Sequence, residues 1–197
     1  MNFLILVLLF CFVIFLYIIY VLSHEDFVIL RRDASMEKIF NGAFLFGISG
    51  LFIARLVYVF FHPSPIFHSF LGFLLFPYFP GLSMVGGLAG SFGFAYLYFK
   101  SRNLPIGRLM DFFSMAFLIS YPLGFVGVLL LSRQTFAWPF YVSLLLSVAI
   151  VGIFVRYVLP LSLGGKLKDG SLSFIFFSSF SLVYILTNIF LSNFKEI

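Results

Sequence analysis

The stretch Phe3–Leu22 reads FLILVLLFCFVIFLYIIYVL, a run without charge, proline or glycine. At 1.5 Å of helical rise per residue it is about 30 Å long, which matches the hydrocarbon core of a bilayer. The run predicts a membrane-spanning helix. It lacks the positive flank and small-residue cleavage site of a secretory signal and is too long for one, so it is expected to stay as the first helix. Five further apolar stretches follow: Ile39–Phe61, Leu82–Phe99, Asp111–Leu131, Pro139–Leu161 and Ser171–Leu191. Across all 197 residues, 62% are hydrophobic and 10% charged, whereas globular domains carry about a quarter charged residues. The expected fold is an all-α integral membrane protein with about six transmembrane helices, forming a single transmembrane domain over residues 1–197.

Residues 62–80 are the exception. They are apolar but contain Pro63, Pro65, Pro77 and Pro80, and the proline-free part is shorter than the ~20 residues that a span needs. An interfacial or re-entrant segment is expected there. Charge supports that choice, because Lys and Arg near span ends accumulate on the cytoplasmic side. With the N-terminus outside, Arg31, Arg32, Lys38, Lys100, Arg102, Arg108, Lys166 and Lys168 fall inside, and only Arg133 and Lys195 fall outside. Making 62–80 a further span would put Lys100, Arg102 and Arg108 on the wrong face. The net charge of +5 therefore reads as a topology signal and not as a nucleic-acid footprint.

Charged side chains inside apolar spans are costly and are functional candidates by default. Arg55, Asp111 and Arg156 are in that position. Arg55 lies six residues before Phe61, about 9 Å from the helix end, so its guanidinium either snorkels to the interface or meets a lipid phosphate there. Tyr58 follows three residues later on the same helix face, and the pair could hold a phosphate together. Arg156 reads as a snorkelling topology residue. Asp111 opens its helix and suits either an N-terminal cap or catalysis. Gly86 and Gly90 have the spacing of a close helix–helix seam, with Gly87, Gly47, Gly50, Gly124 and Gly127 nearby in the spans. His24, His62 and His68 have no partner at metal-ligand spacing, so neither metal nor cofactor is expected. Cys11 lies inside an apolar run and reads as a packed thiol. No nucleophile or base can be assigned, and the catalytic residues stay unknown at this level.

Three stretches carry a resemblance. Ile53-Ala54-Arg55-Leu56-Val57-Tyr58-Val59, then Gly81-Leu82-Ser83-Met84-Val85-Gly86-Gly87, then Arg108-Leu109-Met110-Asp111 resemble, in order and spacing, the motifs of prolipoprotein diacylglyceryl transferase. That family has G-A-R-L-x-Y-V late in its second helix, G-G-M-S-F-H-G-G opening the third, and an aspartate opening the fourth. Gly124-Phe125-Val126-Gly127 is similar to its G-R-I-G-N stretch, and Gly170 matches the start of the last helix more faintly. The resemblance implies a bacterial inner-membrane enzyme that moves a diacylglyceryl group from phosphatidylglycerol to a lipobox cysteine. It places Arg55, Tyr58, Ser83, Gly86, Gly87 and Asp111 at a lipid-binding site.

The departures bear on activity. Val85 replaces the motif histidine, Phe125 and Val128 replace an arginine and an asparagine, and Tyr184 stands where the last helix carries an arginine, with Asn188 in place of an acid. Such chemistry needs a base near the thiol and cations on the leaving phosphate, and apolar side chains supply neither. The family's external head shrinks to about Ser132–Trp138, and its seventh helix has no counterpart. Two functions follow as alternatives: a transferase whose chemistry is re-sited, or a catalytically inactive relative that binds phospholipid or scaffolds a membrane complex. The expected partners are phosphatidylglycerol and possible prolipoprotein signal segments or another membrane protein. A small transporter subunit is a third possibility, but the sequence lacks midplane charges and symmetry-related broken helices.

Overall fold

The computed structural model describes residues 3–24, 26–32, 34–64, 67, 72–73, 81–131 and 138–193, and among these every regular element is helical. The helices are α1 (Phe3–His24), α2 (Phe27–Arg31), α3 (Met36–Phe61), α4 (Met84–Ser101), α5 (Ile106–Leu131), α6 (Trp138–Ile153), α7 (Leu159–Leu163) and α8 (Ser171–Asn193), with a π-helical turn at Phe154–Val158 joining α6 to α7. Four stretches are long and apolar enough to cross a membrane: Ile5–His24, Met36–Phe61, Ile106–Leu130 and Phe140–Leu163. The chain is a multi-pass membrane protein. The expected interfacial segment 62–80 falls mostly outside the described residues.

Helix boundaries follow local chemistry. Asp26 accepts from the backbone N–H groups of Val28 and Ile29 at 3.0 and 3.2 Å, starting the short α2 between the first two spans. Ser83 caps α4 through Oγ, which accepts from Gly86 N at 3.2 Å. Asn103 adopts a left-handed φ of 55° after α4, a conformation in which Asn is enriched. Pro105 follows, just ahead of the first turn of α5. That helix starts at Ile106, five residues earlier than expected, so Arg108 belongs to its first turn and not to a loop. Asp111 accordingly lies inside α5 and does not open it. In the fourth of these stretches, Phe140–Leu163, Pro160 has no N–H to give the carbonyl of Arg156. The helix widens there, and Leu159 N–H bonds Phe154 O across the π turn.

The chain divides into two compact units: Met1–Leu6 with Ser23–Ile106, and Val7–Leu22 with Gly107–Ile197. In the first unit α3 and α4 run antiparallel in very close contact. A Cβ added at Gly90 would lie 2.5 Å from Ile53 Cβ, and one at Gly86 would lie 2.7 Å from Val57 Cβ. Ser49 Oγ reaches Gly90 O at 3.4 Å. The expected glycine seam is there, and backbones this close require residues without side chains. The second unit is organised around α5. Phe113 meets Phe15 of α1 edge-on at 5.6 Å, Phe117 meets Phe176 and Phe180 of α8 at 5.9 and 6.0 Å, and Phe125 meets Phe140 of α6 at 5.1 Å. Many of the phenylalanines therefore fill helix interfaces, where edge-to-face pairs pack well.

Candidate functional site

Arg55 is the centre of the first unit's polar chemistry. It sits two turns before the end of α3, is 3% exposed, and spends three N–H groups on backbone carbonyls. Nε donates to Phe73 O at 3.0 Å, Nη1 to Gly81 O at 2.9 Å and Nη2 to Gly72 O at 3.0 Å. The guanidinium also lies 4.7 Å from the centre of the Phe67 ring. It thus gathers three points of the chain that follows α3. A guanidinium has five N–H groups, so Nη1 and Nη2 each keep one beyond these bonds.

One turn on, the Tyr58 ring stacks on His62 at 4.6 Å and meets Phe67 edge-on at 6.3 Å. Gly81 lies against Tyr58 with φ +146°, a backbone conformation that suits glycine, and any Cβ there would run into the ring. Ser83 N donates to Ala54 O at 3.0 Å, tying the start of α4 to α3 beside Arg55. Gly86 packs on Val57, and Gly87 sits where an added Cβ would be 3.4 Å from Ala54 Cβ. Arg55, Tyr58, Ser83, Gly86 and Gly87 therefore form one patch. Val85, at the position of the motif histidine, is 59% exposed.

The electrostatics of this patch are one-sided. The sequence has no Asp or Glu between Lys38 and Met110. Glu37 is eighteen residues before Arg55, about 27 Å along the helix. The charge of Arg55 is met by carbonyl dipoles and an aromatic face, with no carboxylate within ion-pair distance among the described residues. A buried cation without a counter-charge favours an anion beside it.

Asp111 belongs to the second unit, and its carboxylate is engaged in capping another helix. It is 0% exposed, and Oδ2 accepts from Gly170 N at 2.8 Å, while Oδ1 accepts from Ser173 N and Ser173 Oγ, both at 2.7 Å. These donors lie at the start of α8, so Asp111 caps that helix from α5, where a negative charge also meets the positive dipole end. Arg108 completes the bracket. It donates to Ser162 O at 2.9 Å and Ser162 Oγ at 3.3 Å, and lies 3.7 Å from the Asp169 carboxylate. Gly107 gives this turn its room, since a Cβ there would come 2.9 Å from the Asp169 backbone. Sequence reasoning missed Arg108 as a buried residue, and the only hint was its place one turn before Asp111. Among the described residues no three His, Cys, Asp or Glu side chains gather as a metal site would require.

Residues 4–133 match the family model described as prolipoprotein diacylglyceryl transferase. No curated protein and no solved structure matches the chain. The matched region contains the Arg55 patch, Val85, Asp111, Phe125 and Val128, while Gly170, Tyr184 and Asn188 lie beyond it. With well over half of its length matched and with Arg55, Tyr58, Gly81, Ser83, Gly86 and Gly87 assembled in one place, the chain belongs to the prolipoprotein diacylglyceryl transferase family.

Proposed function

We propose that this protein binds phosphatidylglycerol in a bacterial cytoplasmic membrane, with the lipid phosphodiester on Arg55, and that it carries out diacylglyceryl transfer slowly or not at all. The observation that carries the reading is the buried Arg55 guanidinium, held by three carbonyls in a stretch of sequence without a carboxylate. A phosphate is a stronger acceptor than a carbonyl dipole, and the planar guanidinium presents paired N–H groups that match it. Tyr58 and the Ser83–Gly87 turn frame the same place. Asp111 is assigned to holding α8 and not to the lipid, because all three of its described bonds go to that helix.

The weak-transfer part rests on side chains that the reaction needs and this chain lacks. Val85, Phe125, Val128 and Tyr184 stand where a histidine, an arginine, an asparagine and an arginine are expected. The family match itself favours a second reading, an active transferase acting on a lipobox cysteine with its chemistry re-sited. Six spans in a single transmembrane domain, the N-terminus outside and 62–80 at the outer interface complete the proposal, supported by the loop charges.

The test is lipid retention. Native mass spectrometry of purified protein should show bound phosphatidylglycerol, lost on Arg55→Ala and partly kept on Arg55→Lys. Unchanged retention in a folded Arg55→Ala protein would refute the site and leave Arg55 as a structural pin for the chain after α3.

A further inference from the structure

Arg156 is left without a role by the site described above. It lies in the π-helical turn of the apolar stretch Phe140–Leu163, with its side chain exposed. Its neighbours Ile153, Val155, Tyr157 and Leu161 are exposed large hydrophobics. On a span, an exposed apolar face meets acyl chains, and a guanidinium on such a face must reach water or an anion at the interface. Arg156 precedes Leu163 by seven residues, about 10 Å of rise, most of which an extended arginine side chain covers. At that end the chain turns through Gly164–Gly170, where Lys166 and Lys168 are exposed.

The counter-charges in this region are already engaged. Between Trp138 and Asn193 the sequence has one carboxylate, Asp169, and it lies 3.7 Å from Arg108. Asp111 is taken up by Gly170 and Ser173. Lys166 and Lys168 follow the end of this helix and Arg156 lies about two turns inside it, and none of the three has a carboxylate within ion-pair distance among the described residues. The helix is also irregular at this point, and π turns occur often at functional sites.

We propose that Arg156, Lys166 and Lys168 form a site for the phosphate of an anionic membrane phospholipid whose acyl chains lie along α6 and α7. Charge complementarity selects the occupant, since the face is apolar and its end is cationic. All three residues belong to the second unit, whereas Arg55 belongs to the first.

The test places a reporter beside Arg156. The chain has one tryptophan, so Trp138→Phe with Tyr157→Trp gives a single fluorophore in the full-length protein reconstituted in phosphatidylcholine vesicles. Quenching by brominated phosphatidylglycerol is compared with quenching by brominated phosphatidylcholine. A surface cation strengthens association with anionic lipid by about fivefold. Phosphatidylglycerol should therefore quench at several-fold lower mole fraction, Arg156→Gln should remove about fivefold of that preference, and Arg156→Lys should keep it. Equal quenching by both lipids, or a preference that survives Arg156→Gln, overturns the proposal. Loss of the preference in excess inorganic phosphate would assign the site to a free anion. No quenching by either lipid would mean that protein covers the face, and either result overturns the lipid assignment.

Discussion

Replacing Asp111 should unfasten α8, and the geometry sets how much stability is lost. In Asp111→Ala three described bonds disappear, and the N–H groups of Gly170 and Ser173 lose their acceptor. Loss of a helix cap costs about 0.5–2 kcal/mol. A buried donor left without a partner costs about 1–3 kcal/mol. Partial relaxation keeps the sum below the upper limits, and a loss of about 3–5 kcal/mol is expected. Asp111→Asn keeps the shape but turns an amide N–H₂ toward either Gly170 or Ser173, and should cost about 1–3 kcal/mol. Ser173→Ala removes only the hydroxyl bond and should cost about 1 kcal/mol. Reversible unfolding in mixed micelles should order the variants Ala, Asn, Ser173→Ala from least to most stable. A double-mutant cycle between Asp111→Ala and Ser173→Ala should show coupling, because the two groups share a bond. If Asp111→Ala unfolds like the wild type but loses bound phosphatidylglycerol, the carboxylate serves the lipid and the capping argument is wrong.

Gly90→Val should destabilise the α3–α4 pair by about 1–3 kcal/mol through overpacking, since even a Cβ would lie 2.5 Å from Ile53, whereas Gly93→Ala, with nothing within 4 Å, should be neutral or stabilising in the same unfolding assay. In cells depleted of their own diacylglyceryl transferase, this chain should leave a reporter lipoprotein largely unmodified. A missing base costs about 10²–10⁴ in rate and a missing oxyanion donor about 10²–10³, and although such costs need not multiply, lipidation fast enough to support growth would refute the weak-transfer reading. In a Cys11-free background, a cysteine at Ser69 should react with an impermeant thiol reagent from outside and one at Ser101 should not. The reverse pattern would overturn the proposed topology.

The membrane class, the all-helical fold and the family were legible in the order of the residues alone. Apolar runs of bilayer length have few other uses, and the motif at Gly81, Ser83, Gly86 and Gly87 is local, so its capping and close packing can be read from neighbouring letters. The sequence did not determine what Arg55 and Asp111 touch. The acceptors of Arg55 are backbone carbonyls at Gly72, Phe73 and Gly81, and every residue carries a carbonyl, so no side-chain pattern marks them. Asp111 finds its donors at Gly170 and Ser173, across two helices and a π turn whose lengths must agree before the groups can meet. Spacing placed Asp111 near a helix start, and the tertiary structure decided that the start belongs to a different helix. The physical reason is that α8 has no acidic residue in its own first turn, and its orphan N–H groups are satisfied from wherever the fold brings a buried acceptor.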